Sequence, residues 1–350
     1  MRKPIAALAA VAVSTVVVCS QALAQEQAAF RLKFKQGQVV RFRGYVKGAA
    51  NISMAVQPAP PTPMPTEIAA QGAGTVVASA KAVRQDQWGN TRLRVSLDSL
   101  KMSADLLGKK FEMALEGGKM TMKGDGKVIS SEQLPKLPGG QTIPLLQKPV
   151  EVKLGTRGQL MDIVIPGFEK EMAQMRKMYG GVDPLTMWKQ TQLLLPENPV
   201  TVGESWADHQ EQPIPGAASA AVTDTTFTLT DIKEVNGQKI ATITVNSNSV
   251  VPNFDMGAAM QQSMPPGSAP MPAMQGNMTM QSAVNGTALF NIAAGLMDRF
   301  DFRMDFAGQM AMNAPTPPEA GQGGQGGQGG QASMAMNMQG QFQGAVARIK

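Results

Sequence analysis

Cysteine and histidine are almost absent from this chain of 350 residues, which contains one of each. The cysteine, Cys19, lies in a first segment that we expect to be removed, so the remaining chain can form no disulfide. Nucleophilic and acid–base catalysis needs a positioned nucleophile and base. The one histidine, His209, stands in a polar run at 208–211, and no Gly-x-Ser-x-Gly elbow occurs in the sequence. The composition therefore predicts a protein that is not an enzyme and needs no cofactor.

Aromatic side chains and net charge are also scarce. Aromatic residues make up 5% of the chain, and the loss of Arg2 and Lys3 with the first segment lowers the formal net charge from +6 to +4. No cluster of basic and aromatic residues accompanies this small charge, so the sequence does not predict a nucleic-acid partner. Glycine, proline and methionine are abundant instead, at 36, 24 and 26 residues. This balance favours a β-rich protein with long irregular connections over a helical bundle.

Residues 1–24 have the pattern of a secretory signal peptide. A basic start precedes an apolar stretch at 5–18, and a small-x-small cleavage pattern follows at 22–24. We expect a mature chain that begins at Gln25, is exported to the periplasm, cell envelope or extracellular space, and has no transmembrane segment. A retained anchor is disfavoured by the short apolar stretch, and a lipoprotein at Cys19 by the lack of a small residue before it.

The clearest local pattern lies at residues 300–312. Its even positions are apolar or glycine and its odd positions are polar or small, and the methionines of 334–338 repeat this alternation. Successive side chains of a strand point to opposite faces, so a period of two predicts long, half-buried antiparallel strands. The Gly/Gln tract at 321–331 between them has the composition of a flexible loop. The turn signals Trp88-Gly89-Asn90 and Asn236-Gly237 predict further hairpins.

The predicted fold is mainly β, with two related, curved, half-barrel-like antiparallel sheets and a short helical insert between them. The predicted units are an N-terminal β unit at 25–165, the insert at 166–195, and a C-terminal β unit at 196–350 with disordered loops at 252–275 and 314–332. The insert is inferred from an apolar stripe at 168–179 that ends at Gly180-Gly181, and from a second short helix at 184–194. Hairpin signals in similar positions of both halves favour an internal duplication.

Residues 195–206 read Leu-Pro-Glu-Asn-Pro-Val-Thr-Val-Gly-Glu-Ser-Trp. This segment resembles a Leu-Pro-x-x-Pro-Val-x-Val-Gly-x-Ser-Trp step in a group of secreted bacterial β-rich proteins of unknown function. The resemblance implies export and an all-β body, and it supplies no catalytic residues. In physical terms, Pro196 and Pro199 stiffen the approach to a strand, Gly203 makes a tight bend and Trp206 fills a core position.

The alternating C-terminal strands lead to a first hypothesis about function. Flexible methionine side chains and few bulky aromatics make an adaptable apolar surface. We therefore predict a non-enzymatic, exported protein that binds a lipid-like or other apolar molecule on a concave β face. The predicted contact residues are Phe300, Phe302, Met304, Phe306, Met310, Met312, Met334, Met336 and Met338.

Two other functions fit the same residues. Thioether sulfur is a soft ligand that suits Cu(I), so the helical stripe Met172, Met175 and Met178, together with methionine pairs on strands, could hold copper in the periplasm. The spacings are equally those of core-facing positions, because a strand repeats every two residues and a helix every 3.6. In that case the chain would be a purely structural envelope protein.

Overall fold

The computed structural model describes residues 27–57, 66–128, 148–167, 193–213, 220–255, 275–315 and 331–349. The predicted signal peptide and nearly all of the predicted helical insert lie outside these ranges. The five insert residues inside them are 166–167, which form a turn, and 193–195, which are irregular. The described part of the chain contains no helix with the length and hydropathy that a membrane span requires.

The described residues form a mainly antiparallel β structure, as predicted. Many of the strands are 15 to 20 residues long. The strands are β1 Val39–Gln57, β2 Glu67–Gln85, β3 Thr91–Leu106, β4 Lys109–Glu116, β5 Lys119–Gly124, β6 Lys127–Val128, β7 Val150–Leu154, β8 Leu160–Val164, β9 Ser205–Gln212, β10 Ala221–Val235, β11 Gln238–Asp255, β12 Gln275–Asn291, β13 Leu296–Pro315 and β14 Gln331–Ile349.

All of these strands belong to one sheet. Its order is β6-β5-β4-β3-β2-β1-β14-β13-β12-β11-β10-β9, so β6 and β9 are its two edges. Strand β3 shares one side between two neighbours, because Thr91–Val95 pairs with β7 and Ser99–Leu106 pairs with β4. Strand β8 pairs only with β7 and lies outside the main order.

The single sheet corrects the prediction of two separate sheets. Strand β1, near the start of the chain, pairs antiparallel with β14 at its end, from Arg41↔Ile349 to Gln57↔Ser333. The two groups of strands that the sequence suggested therefore meet in one continuous ladder. The edges of β1 and β14 that two separate sheets would expose are hydrogen-bonded to each other at this junction, which removes a site for unwanted strand pairing.

Several predicted turns are confirmed. Asn236 and Gly237 join β10 to β11 and have positive φ angles of 51° and 72°. Positive φ at both central positions is the requirement of the two-residue hairpin turn that Asn-Gly signals. The loop at 86–90 joins β2 to β3 as predicted, and Asp86 organises it by accepting hydrogen bonds from the backbone N–H groups of Trp88 and Asn90.

The strands extend into both stretches predicted as disordered loops. Strand β11 continues to Asp255, and β13 continues to Pro315. Pro252 lies in the register shift between Val251 and Phe254, where the one-to-one pairing of β11 with β12 is interrupted. A proline, which has no N–H to donate, is tolerated in a strand at such an irregularity. The remainder of each predicted loop lies outside the described residues.

The buried core of the described residues lies at one end of the sheet, which we call the base. It is the end that holds Val39 of β1 and Leu296 of β13. Two irregular segments, 27–38 and 193–204, pack there. The main cluster contains Ala28, Phe30, Leu195, Val200, Phe227, Leu229, Ala241, Ile243, Val245, Ala288 and Phe290. A smaller cluster contains Ala80, Ala82 and Leu93, with Phe34 and Phe42 packed against it.

Trp206 joins the segment at 193–204 to the sheet. Its indole N–H donates to the carbonyl oxygen of Leu194 at 2.7 Å, and its ring stacks on those of Phe227 and Phe30 at centroid distances of 5.6 and 6.4 Å. Gly203 has a φ of 95°, and its N–H donates to Leu229. These contacts are the core position and the tight bend that the sequence predicts.

Candidate functional site

The structure places all nine predicted contact residues on one face of β13 and β14, which we call the apolar face. The even positions of both strands share this face, and cross-strand pairing keeps the parity: Phe302 lies opposite Gly344, Met304 opposite Phe342, and Met310 opposite Met336. Their side chains are half-buried, whereas the odd positions between 307 and 313 are exposed. The local period of two therefore gives two chemically different faces.

The apolar face extends far beyond these two strands. One row of register partners crosses eleven strands without a charged or amide side chain. From β5 to β9 it reads Met122, Met113, Met102, Gly74, Val46, Gly344, Phe302, Gly286, Val245, Phe227 and Trp206. With neighbouring strands about 4.8 Å apart, this row is roughly 50 Å long.

Phenylalanine rings on this face cover glycines of the neighbouring strands. A Cβ atom on Gly344 would lie 2.9 Å from Cζ of Phe302, and one on Gly286 would lie 2.7 Å from Cε2 of Phe300. The rings of Phe342 and Phe306 occupy the same space at two further glycines, Gly48 and Gly340. The rings also pair, with Phe300–Phe302 and Phe306–Phe342 centroids 5.8 and 5.6 Å apart. Glycine therefore lets large rings lie low on the sheet.

Toward the end of the sheet away from the base, methionine replaces phenylalanine. Met54, Met336, Met310 and Met278 form one row across β1, β14, β13 and β12. Four more methionines flank this row on the same strands: Met312, Met334, Met280 and Met338. We call these eight residues the methionine patch.

Beyond the base, the apolar character of this face decreases toward β9. Thr223 and Thr225 of β10 are buried on this face, and their hydroxyls pair with Ser249 and Ser247 of β11 at 2.9 and 2.8 Å. The paired hydroxyls satisfy each other, so they can be buried at little cost. The apolar face is therefore bounded by hydroxyl groups on its β9 side.

The opposite face is polar. Two depressions formed by described residues lie on it. The largest has a volume of about 740 Å³ and is lined mainly by side chains of odd parity, among them Asn51, Gln281, Gln309 and Gln339. A second, of about 650 Å³, is lined by Lys47, Gln71, Glu112 and neighbours. Both of these depressions therefore lie on the face opposite the predicted contact residues.

Ion pairs also lie on the polar face. Arg303 contacts Asp305, which accepts a 2.7 Å hydrogen bond from Gln341. The Arg303 guanidinium, followed by the Gln341 amide, lowers the pKa of Asp305. Arg299 makes a paired contact with Asp301 at 2.6 and 2.7 Å. These exposed pairs make one face of β13 polar and solvent-accessible, whereas the other face carries phenylalanine and methionine.

His209 lies on the polar face of edge strand β9. Its Nδ1 is 2.6 Å from Oδ1 of Asp224, and its Nε2 is 3.3 Å from Oε1 of Glu211. The hydrogen bond to Asp224, and then that to Glu211, raises the pKa of His209. A histidine held between two carboxylates on an exposed strand is an ion-pair site. No serine, threonine or cysteine is among the partners shown for its ring.

The described residues contain no group of three or more His, Cys, Asp and Glu side chains that could hold a metal ion. The predicted helical copper ligands Met172, Met175 and Met178 lie outside the described residues. Among the described residues, thioether ligands lie on the strands, and eight of them form the methionine patch.

The sequence analysis missed the contribution of β1 and β12 to this face. Met54, Met278 and Met280 join the predicted residues because β1 pairs with β14 and β12 pairs with β13. A signal for each strand is present locally, since the even positions of both are apolar residues or glycine with the exception of Ser282. The pairing that brings them together has no local signal.

Comparison with known proteins yields weak structural likeness only. No protein-family model and no curated protein matches the chain. A lipovitellin structure, titled for its lipid–protein interactions, aligns with 91% of this chain and 26% of that chain at 11% identity and a TM-score of 0.37. OpdL of Pseudomonas aeruginosa aligns with 89% of this chain and 99% of that chain at 8% identity and a TM-score of 0.19.

A BenF-like porin from Pseudomonas fluorescens Pf-5 aligns with 90% of this chain and all of that chain at 7% identity and a TM-score of 0.21. This chain spans about a quarter of the lipovitellin chain. Likeness at these scores does not identify a common fold, so the functional argument rests on the residues alone.

Proposed function

We propose that this chain is an exported, non-enzymatic protein that binds a lipid-like molecule on its apolar face. The observation that carries the proposal is the extent of that face. Its phenylalanine and methionine side chains stay half-buried beyond the base, and its residues alternate strictly with a polar opposite face. Monomeric soluble proteins rarely expose contiguous apolar patches of more than a few hundred Å².

The shape of the face favours a ligand with extended apolar surface. Phe227 and Val245, toward the β9 end of the row, are buried in the base core. The part of the row from Met122 of β5 to Phe302 of β13 is about 30 Å long, and it can contact acyl chains along their length. Methionine, with three rotatable bonds, adjusts to chains of different shape. Burial contributes about 25 cal/mol per Å² of apolar area removed from water. Several acyl chains would therefore supply a large driving force.

Export is the second part of the proposal. It is supported by the signal-peptide pattern at 1–24 and by the resemblance at 195–206 to secreted bacterial proteins. The lack of cysteine after position 19 is consistent with a chain whose stability comes from its sheet and its base core.

A binding assay on face-specific variants tests the proposal. A fluorescent long-chain fatty acid is titrated into the wild-type chain and into the double variant M336Q/M338Q, which places two amides on the apolar face. Leaving an amide without a partner in an apolar contact costs about 1–2 kcal/mol, so we expect binding to weaken about tenfold or more.

The matched control is N337Q/Q339N, which changes the two residues of β14 that alternate with these methionines on the polar face. We expect its affinity to stay within twofold of the wild type. Equal affinities for all three proteins would contradict binding on the apolar face, and a wild-type chain without affinity for the probe would contradict the proposal as a whole.

A further inference from the structure

The methionine patch has an arrangement that apolar contact does not require. Met54, Met336, Met310 and Met278 are register partners in succession, one on each of four neighbouring strands. Directly beside this row, Met312 lies opposite Met334. Leucine, isoleucine and valine also supply apolar area, and these residue types occur in the base core.

The flanking methionines on the other side of the row converge over a glycine. Gly308 of β13 lies between Met338 of β14 and Met280 of β12. A Cβ atom on Gly308 would lie 3.3 Å from Cε of Met338 and 3.7 Å from Cγ of Met280. Both thioether side chains therefore reach over the same position from opposite sides. The glycine leaves the space in which they approach each other.

The spacing of the strands that carry these methionines suits a shared ion. A metal–sulfur bond is about 2.3 Å long, so two sulfurs on one ion stand at most about 4.6 Å apart. Neighbouring strands lie about 4.8 Å apart, and methionine is flexible enough to close the small difference. Register partners on adjacent strands can therefore bind one ion without any change in the backbone.

The surroundings decide which ion the patch can hold. Thioether sulfur is a soft, uncharged ligand that selects Cu(I) over hard cations. The register partners of the patch on this face include Val56, Ile52, Val251 and Gly308, which are apolar residues or glycine. None of these partners supplies a negative charge, and an uncompensated divalent ion would be costly in such a setting. A soft monovalent ion is the one that matches.

We propose that the methionine patch is a binding site for soft monovalent metal ions, Cu(I) or Ag(I), centred on Met310 and Met336. The site lies on the same face as the proposed lipid surface but rests on sulfur chemistry, not on apolar area. No electron transfer is involved, because Ag(I) and Cu(I) bind in the oxidation state in which they are supplied.

The substitution of methionine by leucine tests the role of the sulfur atoms. Leucine keeps the apolar character and approximate volume, and such exchanges are usually well tolerated in cores, but it removes the sulfur. Cu(I) is titrated under reducing conditions against a chromophoric Cu(I) chelator, with the wild-type chain, the variant M310L/M336L and a control variant. We expect M310L/M336L to bind Cu(I) at least tenfold more weakly, while its urea unfolding midpoint stays close to that of the wild type.

The control is M120L/M161L, which removes two methionines that have no methionine opposite them. Met120 lies opposite Leu115, and Met161 is 51% exposed beside the register shift of β7 and β8. We expect its Cu(I) affinity to stay within twofold of the wild type. Equal losses in both variants, or wild-type affinity no better than that of free methionine, would overturn the proposal.

A direct measurement covers the case in which a variant folds poorly. The wild-type chain, labelled with ¹³C at the methionine methyl groups, is titrated with Ag(I), and the methyl signals are followed by NMR. We expect the signals of Met310 and Met336 to shift and that of Met161 to stay in place. Uniform shifts, or no shifts, would contradict a site at the patch and leave the lipid proposal untouched.

Discussion

Phe302 of β13 lies opposite Gly344 of β14, and its ring occupies the space that a side chain on Gly344 would need. A Cβ atom there would lie 2.9 Å from Cζ of Phe302 and 2.5 Å from the backbone oxygen of Tyr45. The ring of Phe302 therefore packs over Gly344, and a side chain at position 344 would displace the ring.

The first prediction concerns this pair. The substitution Gly344→Ala should lower the free energy of unfolding by about 2 kcal/mol, because an added methyl group must displace both the ring and the backbone of β1. The comparison is Gly308→Ala on the same face, where the nearest atoms lie at 3.2 and 3.3 Å and one of them is the mobile end of Met338. Urea denaturation of both variants should show the larger loss for Gly344→Ala. Equal losses would contradict the account.

The second prediction concerns the base core. Trp206→Ala should lower the free energy of unfolding by about 3 kcal/mol, because it removes the stacking on Phe30 and Phe227 and leaves a cavity. Trp206→Phe should lose about 1 kcal/mol, chiefly the hydrogen bond to Leu194. Trp88→Phe is the control: Trp88 is 71% exposed, and its loss should change stability by less than about 0.5 kcal/mol. Urea midpoints would decide the order.

The third prediction concerns His209, the single histidine of the chain. Its pKa should lie above 6.5, because the carboxylates of Asp224 and then Glu211 favour the charged ring. A raised pKa in the folded state means that the ion pair stabilises the fold below pH 6.5 and that this contribution is lost as the pH rises through the folded pKa.

NMR titration of the His209 ring tests this prediction without ambiguity of assignment. In Asp224→Asn the pKa should fall toward its ordinary value, and in Glu211→Gln it should fall less, because Asp224 is the closer partner. A pKa at or below 6.5 in the wild type would show that the contacts at the edge of β9 do not form in solution.

The sequence predicted the faces of individual strands well, because side-chain direction in a strand is a local property. The alternation at 300–312 places Phe302 and Met310 together on the apolar face, as observed. The Asn236-Gly237 turn was equally predictable, since the positive φ that both residues adopt is a property of the residues themselves.

The joining of strands was not predictable in the same way. Met54 and Met336 are opposite each other although almost the whole chain separates them in sequence. Nothing local to either residue specifies that pairing, so two separate sheets and one continuous sheet looked alike. The concavity of the apolar face stays a prediction, because the direction in which a sheet curves depends on all its strands and on side-chain size across both faces.

The proposal that Met/Phe strands form a lipid-binding surface is tested most directly by native mass spectrometry of the exported chain, purified without detergent from cells that secrete it. The account predicts an added mass of several hundred daltons that disappears after organic extraction and is reduced in M336Q/M338Q prepared in the same way. A bare protein mass in every preparation would contradict it and would leave the apolar face as a structural feature of the sheet.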